Sequence, residues 1–247
     1  MSAKPAAIKR RPVKKTGGNT AAVIVAAGSS LRMGDGVKKQ FLKVNGIPVL
    51  ARTMQSFEEC RLIGEIIVVA KEEDLLYVSD LAAEYHIRKL TAVVAGGDTR
   101  AASARCGFER ISARAKYVAI HDGARCLVTP AEIEKVCRAA FRYKAASAAT
   151  RVSDTVKLAT RTAFVDSTLD RNHIYLAATP QIFSANLYRA ALTNEAATAN
   201  LTDDNQLMEL LPHRVKLVEC SKENIKITYP EDVSLAEFYL DRREGLR

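Results

Sequence analysis

The chain has 247 residues, is 48% hydrophobic and 26% charged, and carries a net charge of +9. That composition suits a soluble globular protein large enough to bury a core without staples, and it excludes collagen, a low-complexity chain and a small disulfide scaffold. The five cysteines are scattered with no C-x-x-C pair, so neither a zinc site nor a disulfide framework is expected, and free thiols in a reducing cytoplasm are. Residues 1–19 hold Lys4, Lys9, Arg10, Arg11, Lys14 and Lys15 and no acid, so +6 of the +9 sits there. With Pro5, Pro12, Gly17 and Gly18 and no apolar periodicity, this stretch is expected to be a disordered basic tail. It has no apolar core for a signal peptide and no recognition motif for nucleic acid, and no apolar run approaches the ~20 residues of a membrane span.

Past the tail, apolar runs and helical patterns alternate. Ala21–Ala27 (AAVIVAA) reads as a strand buried on both faces. Residues 47–59 follow with Ile47, Leu50, Met54 and Phe57 at helical spacing. Strands are expected at 65–70, 91–95 and 117–121, with helices at 72–85, 100–111 and 130–144 between and after them. The last of these helices has Pro130 in its first turn and an apolar stripe of Ile133, Val136, Cys137, Ala140 and Phe141. This order predicts a mostly parallel sheet with helices on both faces. Residues 146–151 continue the sheet. Residues 153–179 are polar and strand-prone without a helix period, so they read as an insertion or extended arm. Helices at 184–195, 203–211 and 230–242 and a strand at 215–220 complete the chain. Residues 20–247 are read as one domain.

In an open parallel sheet, ligands bind beyond the carboxyl ends of the strands. After the first strand, Gly28, Gly34 and Gly36 permit close backbone approach, and Arg32, Lys38 and Lys39 supply positive charge. Together they describe a polyphosphate cradle that is neither a P-loop nor a dinucleotide fingerprint. After the third strand comes Gly96-Gly97-Asp98-Thr99-Arg100, and after the fourth His121-Asp122-Gly123-Ala124-Arg125. Asp122, at a strand end beside phosphates, is a hard oxygen donor suited to Mg²⁺. Near the end, Ile225 and Ile227 alternate with Lys226, which puts the lysine opposite the apolar pair.

These segments occur in one order: Ala-Ala-Gly-x-x-x-Arg-Met, Lys-Gln-Phe, Gly-Gly-Asp-x-Arg, His-Asp-x-Ala-Arg, Asp-Thr-Val-Lys, Asp-Arg-Asn, Ala-Thr-Pro-Gln and Asn-Ile-Lys-Ile-Thr-x-Pro-Glu-Asp. In that order the sequence resembles the 2-C-methyl-D-erythritol 4-phosphate cytidylyltransferase family over about residues 20–242. The resemblance implies a Rossmann-like nucleotidyltransferase fold, and transfer of CMP from CTP to methylerythritol 4-phosphate with release of pyrophosphate, a step of non-mevalonate isoprenoid biosynthesis. It also implies Mg²⁺ and a homodimer in which an arm, about residues 153–172, reaches over the partner's site.

By motif, the resemblance gives Ala26, Ala27 and Gly28 to the nucleotide's backbone contacts, and Arg32 and Lys39 to the triphosphate. Gly97, Asp98 and Ser103 would face cytosine and ribose, Asp122 would hold Mg²⁺ and substrate, and Lys226 would complete the charge cage at the α-phosphate. Thr155 and Arg171 would bind the sugar phosphate from the partner's arm, with Thr179 and Thr202 as further substrate contacts. Lys38 and Cys126 stand where the family often has proline. The attacking phosphate oxygen is ionised at neutral pH, so alignment and charge neutralisation are needed rather than a general base. The alternatives are a cytidylyltransferase for ribitol 5-phosphate or another polyol phosphate, a regulatory nucleotide binder with a degenerate site, and a nucleic-acid binder driven by the tail.

Overall fold

The computed structural model describes residues 6–9, 18–28, 38–193 and 201–245. In chain order the strands and helices are β1 Ala7–Lys9, β2 Thr20–Val25, β3 Lys43–Val44, β4 Ile47–Pro48, α1 Val49–Glu59, β5 Ile63–Ala70, α2 Leu75–Glu84, β6 Leu90–Ala95, α3 Arg100–Phe108, β7 Tyr117–Asp122, α4 Pro130–Tyr143 and β8 Ala145–Arg151. They continue with β9 Val156–Ala159, β10 Val165–Leu169, β11 Tyr175–Ser184, α5 Ala185–Ala191, α6 Asn205–Leu210, β12 Lys216–Glu219 and α7 Glu231–Arg243.

The main sheet has eight strands in the order β1-β6-β5-β2-β7-β11-β8-β12. Strands β6, β5, β2 and β7 run parallel, as the alternation of strands and helices predicts. The central strand β2 explains the unbroken apolar run. Ala22 and Ile24 face one core with α1, α2 and α4, while Ala21 and Val23 face a second with α3, α5 and α6. Helix α3 lies close against that second face because Gly107 has no side chain. A Cβ there would come within 2.3 Å of Val23 Cγ1. Helix α4 starts as predicted: the Thr129 hydroxyl accepts from the Glu132 backbone NH at 3.2 Å, and the Glu132 carboxylate accepts from the Thr129 NH at 3.0 Å.

Two segments differ from the sequence expectation. The polar stretch 153–179 is not a single arm. Its first part forms the exposed hairpin β9–β10, but Tyr175 onwards is β11, inserted antiparallel between β7 and β8. Pro180 and a register shift between Ala177 and Gln181 interrupt the strand, so its period-2 pattern is not readable from sequence. Three residues of the stretch expected to be disordered, Ala7–Lys9, also depart from expectation. They pair antiparallel with Ala92–Val94 and continue the sheet edge, where main-chain hydrogen bonding requires no sequence pattern. No helix among the described residues is long and apolar enough to cross a membrane.

Candidate active site

Strands β6, β2 and β7 end at the same edge of the sheet, with β5 between β6 and β2, and the chain beyond each of the three contributes to one cavity of about 430 Å³. Ala26, Ala27 and Gly28 follow β2, Gly97, Asp98 and Ser103 come from the turn after β6 and from α3, and Asp122 closes β7. Lys39, in a short 3₁₀ turn, and Lys226, on the segment before α7, complete the wall. These expected site residues are therefore assembled in one place. A Cβ at Gly28 would meet nothing within 4 Å among the described residues, so no neighbouring atom there demands the glycine. Ser103 holds the Gly97 turn: its hydroxyl accepts from Gly97 NH and donates to Gly97 C=O, both at 3.2 Å. Thr99 caps α3 by accepting from Ala102 NH at 3.0 Å.

The segment carrying Lys226 pairs with no strand among the described residues. Ile227 is fully buried in an apolar cluster with Val44, Val49 and α7, and its NH donates to Ala124 C=O at 2.9 Å. That anchor turns Lys226 toward the floor of the cavity, where its Nζ lies 2.9 Å from Asp122 Oδ2.

Asp122 is the centre of the charge arrangement. Arg100 Nε donates to its Oδ1 at 3.0 Å, and Arg125 Nε lies 3.7 Å from Oδ2. Burial by itself would raise the Asp122 carboxyl, but Arg100, Lys226 and Arg125 overcome it and hold the group well below the usual carboxylate range. A buried carboxylate without such partners would cost several kcal/mol, so the cluster is a condition for placing it there. Both oxygens are thus engaged by cations, and no group of three or more His, Cys, Asp or Glu side chains that could hold a metal exists among the described residues. Mg²⁺ ordinarily takes one or two carboxylates from a protein and its other ligands from phosphates and water, so this single carboxylate is compatible with that ion. In this arrangement Asp122 is a bracket for cations.

Other expected residues lie outside this cavity wall. Thr179 is 4% exposed, and its hydroxyl accepts from Asp122 NH at 3.1 Å and lies 3.0 Å from His121 Nδ1, so it supports the floor from behind. Lys38 is not among the residues lining the cavity. It pairs with Asp74 and, at 3.4 Å, with Glu73, because the nearly buried Asp74 at the start of α2 needs a cation. Thr202 is exposed and does not line the cavity. Thr155 and Arg171 lie on the exposed arm, away from this chain's own cavity, with Arg171 Nη1 donating to Ser153 C=O at 2.7 Å. Arg32, Gly34 and Gly36 fall outside the described residues.

Arg100 and Arg125 were quoted in motifs but given no role by the sequence reading. The available signal was a cation closing both the Gly-Gly-Asp-Thr-Arg and His-Asp-Gly-Ala-Arg segments. Gln40, 3% exposed at the cavity wall, carried no signal.

Residues 20–242 match the family model described as 2-C-methyl-D-erythritol 4-phosphate cytidylyltransferase. Proteins of that name from Pelotomaculum thermopropionicum and Desulforamulus reducens are 40% and 41% identical to this chain. The alignments cover 91% and 92% of this chain and 95% and 97% of the relatives. Among solved structures, 4-diphosphocytidyl-2C-methyl-D-erythritol synthase from Anaerococcus prevotii superposes with a TM-score of 0.82 at 32% identity, covering 91% of this chain and 97% of that one. The Thermus thermophilus 2-C-methyl-D-erythritol 4-phosphate cytidylyltransferase gives 0.70 at 28% identity, covering 90% and 98%.

Proposed function

The chain belongs to the 2-C-methyl-D-erythritol 4-phosphate cytidylyltransferase family, and from that premise we propose how its own residues carry CMP from CTP to 2-C-methyl-D-erythritol 4-phosphate. The observation that carries the reading is the cavity where β2, β6 and β7 end, with glycine backbone on two sides and cations opposite. The turn of Gly97, Asp98 and Ser103 receives the cytidine, and Ala26–Gly28 lets the triphosphate approach the backbone. Lys39, with Arg32, draws the phosphates in. Lys226 sits at the α-phosphate, held by Asp122. A phosphate oxygen of the acceptor attacks the α-phosphorus, forming one P–O bond as the bond to pyrophosphate breaks. No proton has to be removed from the nucleophile, which agrees with a site built from cations rather than around a general base. Removing one such cation costs about 3–4 kcal/mol of transition-state stabilisation, as for other preorganised electrostatic donors.

Mg²⁺ is the ion we assign to the reaction. Asp122's engaged oxygens argue against a protein cage for it. We assign the acceptor's sugar phosphate to Thr155 and Arg171 of a neighbouring subunit's arm, with a homodimer as the working unit. The arm's exposed apolar side chains favour this: Phe164 is 73% and Val165 65% exposed, and Leu158 and Leu169 are open to solvent as well. Residues 20–247 are treated as one catalytic unit. A cytoplasmic location agrees with five free cysteines. The ribitol 5-phosphate alternative is not favoured by the family match.

The test is pyrophosphate release measured with each of four nucleoside triphosphates and with both sugar phosphates. Release with CTP and methylerythritol 4-phosphate alone is expected. Preference for ribitol 5-phosphate, or none with any pair, would overturn the reading.

A further inference from the structure

Arg100 occupies the first position of α3, where the positive end of the helix dipole disfavours a cation. Its guanidinium is held by two carboxylates from distant parts of the chain. Nε donates to Asp122 Oδ1 at 3.0 Å, and Nη1 donates to Asp204 Oδ2 at 2.6 Å. Asp204 stands at the N-cap of α6, a position where aspartate ordinarily accepts from the helix backbone. Here its side chain caps nothing. Its second oxygen instead accepts from the Tyr188 hydroxyl at 2.6 Å. Asp204 is 2% exposed and Tyr188 is fully buried, so neither oxygen is left to water. The backbone is tied as firmly: Asp204 NH donates to the Gln181 side-chain carbonyl at 2.8 Å, and Gln181 lies on β11 beside β7. A helix that gives up its own cap, and an arginine that starts a helix against the dipole, have one common product. That product is a guanidinium fixed in orientation at the wall of the cavity.

We propose that Asp204, backed by Tyr188, is a positioning residue for the transfer: it fixes Arg100, and through Arg100 the Asp122 carboxylate that brackets Lys226. The inference rests on the reading of the cavity as the transfer site. A loose guanidinium would let the Asp122 carboxylate rotate and carry Lys226 off line, which lowers turnover more than it weakens binding of the whole nucleotide.

The test uses Asp204→Asn, which keeps the shape and removes the charge, and Tyr188→Phe, which removes only the hydroxyl. In ¹⁵N-labelled full-length protein the Arg100 Nε–H signal, identified by its loss in Arg100→Lys, is expected to exchange slowly with solvent, and rapidly in both variants. Turnover measured by pyrophosphate release is expected to fall about tenfold or more in Asp204→Asn, with the KM for CTP changed less than about threefold, as for a displaced positioning group. If Asp204→Asn does not fold, Tyr188→Phe carries both measurements. An unchanged Arg100 signal, or an unchanged kcat, would overturn the proposal. If the unsubstituted protein releases no pyrophosphate, the transfer reading fails, and the Arg100 signal still decides whether Asp204 fixes the guanidinium.

Discussion

His121 sits one residue before the charged centre and takes no part in its chemistry. Its ring is fully buried between the Thr179 hydroxyl and the Arg125 carbonyl, 3.2 Å from Nε2. Burial pushes its pKa down to about 3, despite the pull of Asp122 in the other direction. In the unfolded chain the same ring titrates near ~6.5. Between those values the unfolded state binds a proton that the folded state refuses, so stability falls as pH drops through that window, by up to about 1.4 kcal/mol per pH unit. Asp122 acts in a lower window, because its depressed pKa gives stability that is lost only below about pH 4. Melting temperatures taken from pH 7 to pH 4 are expected to decline already from about pH 6, and to stay nearly level over that range in His121→Gln. Parallel curves for the two proteins would sink this account. Arg100 and Arg125 stood in the motifs around Asp122, but the direct pairing with Lys226 was not legible, since that lysine stands more than a hundred residues away.

At the scale of elements, the legible parts were those governed by short-range rules. Pro130 and the apolar stripe located α4, and the Thr129–Glu132 capping box sets its start. Thr129→Ala removes one partner of that box and is expected to cost ~1 kcal/mol in a urea titration. A loss under a few tenths would mean that the surrounding packing alone defines the helix end. Strand β11 shows where such rules stop. Its hydrogen-bond partners are β7 and β8 on either side, and its first three residues, Tyr175, Leu176 and Ala177, lie outside the core, so nothing local distinguishes it from the arm that precedes it. Yet this strand supplies Thr179 beneath Asp122 and Gln181 behind Asp204, so part of the candidate site was hidden with it.

At the scale of the molecule, the exposed hairpin β9–β10 is not part of the cavity wall. Thr155 and Arg171 do not line the cavity of their own chain. If arms are exchanged, a protein carrying Lys226→Ala and one carrying Arg171→Ala are each nearly inactive. Co-refolded in equal amounts, they should then recover roughly a quarter of full activity, because one of two sites in each mixed dimer is intact. No recovery beyond the separate proteins would assign each arm to its own subunit.

By itself the sequence determined the alternation of buried strands and helices, and which loops carry glycine and charge. Those features follow from side-chain periodicity and backbone freedom within a few neighbouring residues. Only the tertiary structure decided that Asp122 lies among Arg100, Lys226 and Arg125, that Thr179 lies beneath it, and that Asp204 reaches Arg100. Each of these depends on which oppositely charged or hydrogen-bonding group a buried atom meets, and burial brings together groups that lie far apart along the chain.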